Sequence, residues 1–96
     1  MLVFIAKLVV KEGMEAEFER LQTELSELTH ANEPEVLVYD VIRQQEKTGQ
    51  YVVYARFKDQ AAFDAHMTVD FHDRLVPLIF ECLSEEMDLQ FFDHVA

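Results

Sequence analysis

Two stretches of this chain are apolar on both faces of an extended strand, and that feature restricts its fold more than any other. In residues 2–10 (LVFIAKLVV), Leu2, Phe4, Ala6 and Leu8 alternate with Val3, Ile5 and Val9. In residues 35–44 (EVLVYDVIRQ), Val36, Val38 and Ile42 alternate with Leu37, Tyr39 and Val41. Successive side chains of a strand point to opposite faces. A sheet built from these segments is therefore apolar on both sides and needs a cover on both. The few helical segments of the chain suffice for one face only. A second copy is the simplest cover for the other, so the expectation is a homodimer with its two sheets face to face.

From Met14 the hydrophobic period becomes helical. Phe18, Leu21, Leu25 and Leu28 form one stripe and leave Glu15, Glu19, Arg20, Glu24 and Glu27 to solvent. Pro34 disfavours helical geometry in the residue before it and ends that helix. Residues 50–58 (QYVVYARFK) read as a strand, joined to 35–44 across Gln45–Gly49 at hairpin spacing. Asp59 stands at an N-cap position before a short helix that runs to about Met67. A further helix is predicted from Asp70, with Phe71, Leu75, Leu78, Ile79 and Cys82 on one face and a kink or break at Pro77. Residues 87–93 (MDLQFFD) form the last strand. The order is β-α-β-β-α-α-β, an α+β arrangement, read as a single domain over residues 1–96 without linker, repeat or low-complexity tract.

Composition narrows the partners. The net charge of −11 leaves no basic patch to neutralise phosphates, which excludes nucleic acid and disfavours an anionic membrane surface. Cys82 is the only cysteine, so no intrachain disulfide forms and a reducing compartment is expected. The apolar start lacks a basic n-region, is interrupted by Lys7 and is too short to span a bilayer; a cytoplasmic location is the expectation.

This layout, together with four local motifs, resembles the antibiotic biosynthesis monooxygenase family of dimeric, ferredoxin-like α+β barrel proteins. The motifs are the opening strand and turn Val3–Gly13, Glu33–Tyr39 (EPEVLVY), Tyr51–Asp59 (YVVYARFKD) and Ala62–His66 (AFDAH), where the family usually carries a histidine. The resemblance implies an antiparallel sheet in each chain and two sheets closing a barrel in the dimer. It implies less about activity, because the family includes quinol and anthrone oxygenases, haem-degrading enzymes, a quorum-signal isomerase and members of no known activity. Ala55 and Phe57 stand where the family often has glutamate and tryptophan, and Val69 and Asp70 where it often has Pro-His. The haem-degrading branch carries Asn, Trp and His at positions that fall on Ala6, His66 and Leu75. All three differ, which argues against haem degradation.

The segment Ala65–Leu75 (AHMTVDFHDRL) concentrates the chemistry of the chain. On a continuous helix His66 and His72, six residues apart, sit about 120° from a common direction. They converge only if the chain breaks near Thr68-Val69. No standard ligand spacing is present, so a metal site using Asp70 or Asp73 is not favoured. The simpler reading has Asp70 capping the second helix while His72 and Asp73 face solvent. For His66 two readings stay open: a satisfied, partly buried histidine, or a pocket residue that binds or deprotonates a phenolic substrate.

Tyr39 and Tyr54 are candidates for holding a substrate carbonyl, and equally for packing. Leu2, Phe4, Ala6 and Leu8 are expected to face the helices, with the small Ala6 leaving a cavity that Phe57, Phe63 and Phe71 line. Arg56 and Asp40 interrupt apolar strands, and a cross-strand salt bridge accounts for them at least as well as a site does. No nucleophile-base pair, phosphate loop or cofactor fingerprint occurs. The reading is a monooxygenase of a quinol or polycyclic phenol that needs neither cofactor nor metal. His66 serves as base, and Ala6, Tyr39, Tyr54, Phe57, Phe63 and Phe71 bind the small aromatic molecule. The alternatives are a non-catalytic small-molecule-binding or regulatory dimer, and an isomerase of a small sugar-derived signal.

Overall fold

Alternation in the first strand decides which residues meet the helices. The computed structural model describes residues 1–96. Its elements are β1 (Leu2–Val9), α1 (Glu15–Asn32), β2 (Val36–Arg43), β3 (Gln50–Phe57), α2 (Gln60–His66), α3 (Asp70–Glu81) and β4 (Asp88–Asp93). The four strands form one antiparallel sheet in the order β2-β3-β1-β4, with the first strand in the interior beside the third. This is the expected α+β, ferredoxin-like order. No helix is long and apolar enough to cross a membrane.

The three helices lie on one face. There Phe4, Ala6 and Leu8 of β1, with Tyr51, Val53, Ala55 and Phe57 of β3, are buried against Phe18, Leu21 and Leu25 of α1 and Leu75 and Ile79 of α3. Burying a large apolar side chain contributes about 1.5–3 kcal/mol, so this layer holds the fold. The opposite face presents Val3, Ile5 and Val9 beside Val52, Tyr54 and Arg56, with Val38, Asp40 and Ile42 beyond them and Phe92 on the far edge. No helix covers it.

Gly49 makes the turn between β2 and β3 at φ +79°, and its carbonyl accepts the Val10 N–H at 2.7 Å. A Cβ there would stand 2.9 Å from the Val10 carbonyl oxygen, so the turn is closed to other residues on two counts.

Four expectations need correction. The register of β2 shifts between Val36 and Val38. Val36 therefore joins Tyr39 and Val41 on the helix side, where strict alternation had put it with Val38 and Ile42. Helix α3 continues through Pro77, which is exposed, because the lost backbone bond lies on the solvent side. Leu78, at the margin of the buried stripe, is exposed as well. Arg56 and Asp40 form no salt bridge: Arg56 stands opposite Val38 and Asp40 opposite Tyr54, and the Arg56 guanidinium instead meets His94 Nδ1 at 3.5 Å.

Candidate functional site

The chain turns sharply after α2, and that turn brings the two histidines together. Asp59 caps α2 by accepting the Ala62 N–H at 2.9 Å, and Met67–Val69 separate α2 from α3. The His66 and His72 rings then lie 4.9 Å apart, edge to face. Asp70 is the first residue of α3 and makes no cap; Val69 holds that position without a side-chain bond. Nor does His72 face solvent as expected: it is half-buried and lines a cavity.

That cavity, of about 90 Å³, lies between the helices and the sheet. Its walls are mostly apolar: Phe4, Ala6, Leu8 and Val53 from the sheet, Leu25 from α1, Phe63 from α2, and Val76 and Ile79 from α3. Met67, Phe80 and Leu89, all exposed, form its outer rim with Met87. The polar groups facing it are Gln22, Tyr39, His66 and His72.

His66 is fixed from behind. Its Nδ1 lies 2.9 Å from Glu33 Oε2, and the two side chains are only 2% and 10% exposed. Glu33 follows the last turn of α1, where its N–H is bonded to the Thr29 carbonyl at 2.9 Å; Pro34 keeps Glu33 out of the helix, and the chain then turns, with the Val36 N–H donating to the Glu33 carbonyl at 3.0 Å. A carboxylate only accepts, so Nδ1 carries a proton, and in the neutral imidazole Nε2 is then the acceptor. Phe57 and Tyr39 pack on the imidazole, with ring centroids 5.5 and 5.6 Å away. Burial pushes the Tyr39 phenol well above its ordinary value, with the Glu33 charge adding to the shift. Tyr39 is thus a neutral hydroxyl over the whole physiological range. Burial also lowers the His72 pKa, as does the neighbouring His66, against a smaller opposing pull from Asp73.

Of the residues named from sequence, Ala6, Tyr39, Phe63 and His66 share this cavity. Phe57 stands behind it, fully buried, with its ring edge-on to Phe63 at 5.3 Å. Phe71 is half-buried against the core without reaching the cavity wall. Tyr54 lies on the opposite face of the sheet, opposite Ile5 and Asp40. Sequence reasoning missed Glu33, Gln22 and His72. Gln22 is 4% exposed, and its Oε1 is buried with no hydrogen-bond partner. Its signal was present, since a glutamine interrupts the α1 stripe between Leu21 and Leu25.

A second polar cluster lies outside the cavity. Tyr51 donates to Glu19 Oε2 at 2.5 Å, and Arg43 donates to the same oxygen at 3.0 Å. Burial and the bond to Glu19 push the Tyr51 phenol up to about 12, and that bond holds the Glu19 carboxyl below its ordinary value. Glu19 is therefore not simply part of a solvated face, as its helical position suggested. No three His, Cys, Asp or Glu side chains converge in a way that could hold a metal ion.

The family model described as antibiotic biosynthesis monooxygenase matches residues 1–76. A crystal structure of an antibiotic biosynthesis monooxygenase is 32% identical, with 100% of both chains covered and a TM-score of 0.91. A Caulobacter crescentus CB15 protein named for the same family is 25% identical over 99% of this chain and 90% of its own, with a TM-score of 0.94. A conserved protein of Methanosarcina mazei Go1 is 27% identical over 95% and 89%, with a TM-score of 0.89. No curated protein matches the chain.

Proposed function

Because this chain belongs to the antibiotic biosynthesis monooxygenase family, we propose that it oxygenates a quinol or polycyclic phenol in the cavity beside His66, without a cofactor. The observation that carries this reading is the buried Glu33–His66 pair at the wall of a mostly apolar cavity. Glu33 fixes the tautomer, so His66 Nε2 is the acceptor turned to a bound hydroxyl. Removing that proton leaves an electron-rich anion that reacts with dioxygen. In an anthrone-type substrate one oxygen atom replaces two hydrogens on the ring carbon and the other leaves as water. The substrate supplies all four electrons, so no external reductant enters. The protein's share is a dry site, a base and orientation.

The enclosed volume, about 90 Å³, is smaller than the ~150 Å³ that holds a benzene ring in an engineered apolar cavity. One ring of the substrate therefore enters as the flexible Met67 and Met87 side chains swing aside. The remaining rings lie over the exposed Phe80 and Leu89. Phe57 and Phe71 support the walls without touching the substrate, and Tyr54 belongs to a different surface.

That surface is the helix-free face of the sheet. Within a reading of residues 1–96 as one domain, it supports a homodimer in which Ile5, Val52, Tyr54 and Ile42 meet a second copy.

The test is turnover of an anthrone or quinol by wild type and His66→Ala, with folding checked on the same preparations. His66→Ala should lower the rate per folded molecule roughly 100-fold or more, the usual scale of general-base catalysis. Unchanged turnover by a folded His66→Ala protein would mean that the Glu33–His66 pair is structural.

A further inference from the structure

The outer edge of β2 lies open along a groove. β2 ends the sheet order and is bonded to β3 on one side only. The groove, of about 620 Å³, runs between this edge and α1. Glu19, Thr23, Ser26, Glu27 and His30 belong to its helical wall, and every residue from Tyr39 to Arg43 lines the other side. Side chains of a strand alternate between faces, so such an unbroken run meets one groove through the main chain at the strand's edge.

Two hydrogen bonds fix which main-chain groups turn outward. Ser26 Oγ–H donates to the Tyr39 carbonyl at 3.2 Å, and the Gln44 N–H donates to the Gln50 carbonyl at 2.9 Å. Along an antiparallel edge strand, alternate residues bond inward and outward. The even positions of β2 thus face β3, while Tyr39, Val41 and Arg43 turn their N–H and C=O groups to the groove. The Tyr39 carbonyl finds a partner in α1. Outside the sheet, the main chain of Val41 and Arg43 has none.

We propose that this edge docks an extended segment of another protein, which adds as a further strand beside β2 and alternates basic with apolar side chains. The added strand lies in the plane of the sheet, away from the cavity beside His66, and leaves the helix-free face uncovered.

Main-chain bonds to an open edge supply affinity, and side chains on either face supply selectivity. On the helix side the added strand meets Glu27, exposed and without an ion pair, and Glu19, whose carboxylate accepts from Arg43 and Tyr51. Arg43 is thereby neutralised, and basic side chains suit this wall. On the other face the strand lies beside Ile42, 56% exposed, and continues the surface of Val38 and Val52. Apolar side chains suit that side. A second copy of this chain fits poorly, because it brings its own net charge of −11 against an acidic wall.

Fluorescence anisotropy with a labelled peptide of Lys-Val repeats tests the proposal, in about 0.15 M salt to screen diffuse attraction. The control is the same peptide N-methylated at every main-chain nitrogen, which keeps the charge and removes the donors. The unmethylated peptide should bind at least roughly tenfold more tightly, the scale of one or two ladder bonds. The Val41 N–H points away from β3, so Val41→Pro removes an edge donor and spares the β2–β3 ladder. It should weaken binding roughly tenfold. Glu27→Lys should weaken it about threefold or more. Should Val41→Pro not fold, the two peptides on the wild-type protein decide alone.

Equal affinities for the two peptides, no binding at about 1 mM, or full binding by a folded Val41→Pro protein each overturn the inference. Unchanged affinity in Glu27→Lys overturns the basic character of the partner. A Val41→Pro protein that forms a smaller assembly by light scattering would give the edge to a second copy, and overturn the inference as well.

Discussion

Replacing Glu33 with alanine tests the most consequential contact of the site. The change leaves His66 in place with its Nδ1 proton aimed at nothing, in surroundings where the imidazole is only 2% exposed. A buried donor deprived of its acceptor costs about 1–3 kcal/mol. For a chain of 96 residues, unfolding entropy makes 1 kcal/mol equivalent to about 5 °C in melting temperature. Glu33→Ala should therefore melt about 5–15 °C below wild type. Glu33→Gln keeps an oxygen that accepts from Nδ1 and loses only the assistance of the charge, so it should fall by less than about 5 °C. Turnover should follow the tautomer rather than the melting point, so Glu33→Gln, which still accepts from Nδ1, should keep most of its rate per folded molecule while Glu33→Ala loses it. Differential scanning calorimetry at one fixed protein concentration, with rates on the same samples, separates the two effects. A Glu33→Ala protein that melts within about 2 °C of wild type would show that the 2.9 Å contact carries no stability and that His66 is held by packing alone.

Light scattering at micromolar concentration should give twice the 11.3 kDa chain mass, and Ile42→Asp, which puts a charge on the uncovered sheet face, should shift the protein towards monomer. Gln22→Met conserves volume and removes an orphaned acceptor, so it should raise stability by about 1–3 kcal/mol in the unliganded protein; a lower melting temperature would show that the amide is satisfied. The His72 pKa is depressed below its ordinary 6.5, so the unfolded chain binds that proton more readily than the folded one. Its contribution should be fully present above about pH 6.5 and fall away as the pH drops through the lower folded value; His72→Phe should flatten that part of a melting-temperature profile.

The sheet was legible in the sequence because burial imposes a period of two that composition and spacing leave visible. Leu2, Phe4, Ala6 and Leu8 were assigned to the helix side by alternation alone, and the register against β3 follows it from Leu2–Phe57 to Leu8–Tyr51. The same logic would have separated Tyr54 from Phe57, three residues apart in a regular strand and hence on opposite faces. Naming both for one pocket overlooked that. The shift at Val36–Val38 was not legible, because a bulge is a relation between two strands rather than a pattern within one.

The site was less legible for a related reason: its polar residues come from five places in the chain, and no local period joins them. Glu33 read as the end of a helix before Pro34, and the residues around it do fold that way; only the tertiary structure shows its carboxylate reaching back to His66, 33 positions on. His72 read as a solvent-facing residue of a first helical turn. That reading assumed that α3 stands apart, whereas the break at Met67–Val69 folds it over the cavity. The condition under which the histidines meet was readable from their spacing, and the break was foreseen near Thr68-Val69. What the spacing could not supply was the direction of the second helix after the break. That direction brings His72 to the cavity wall beside His66 and Gln22.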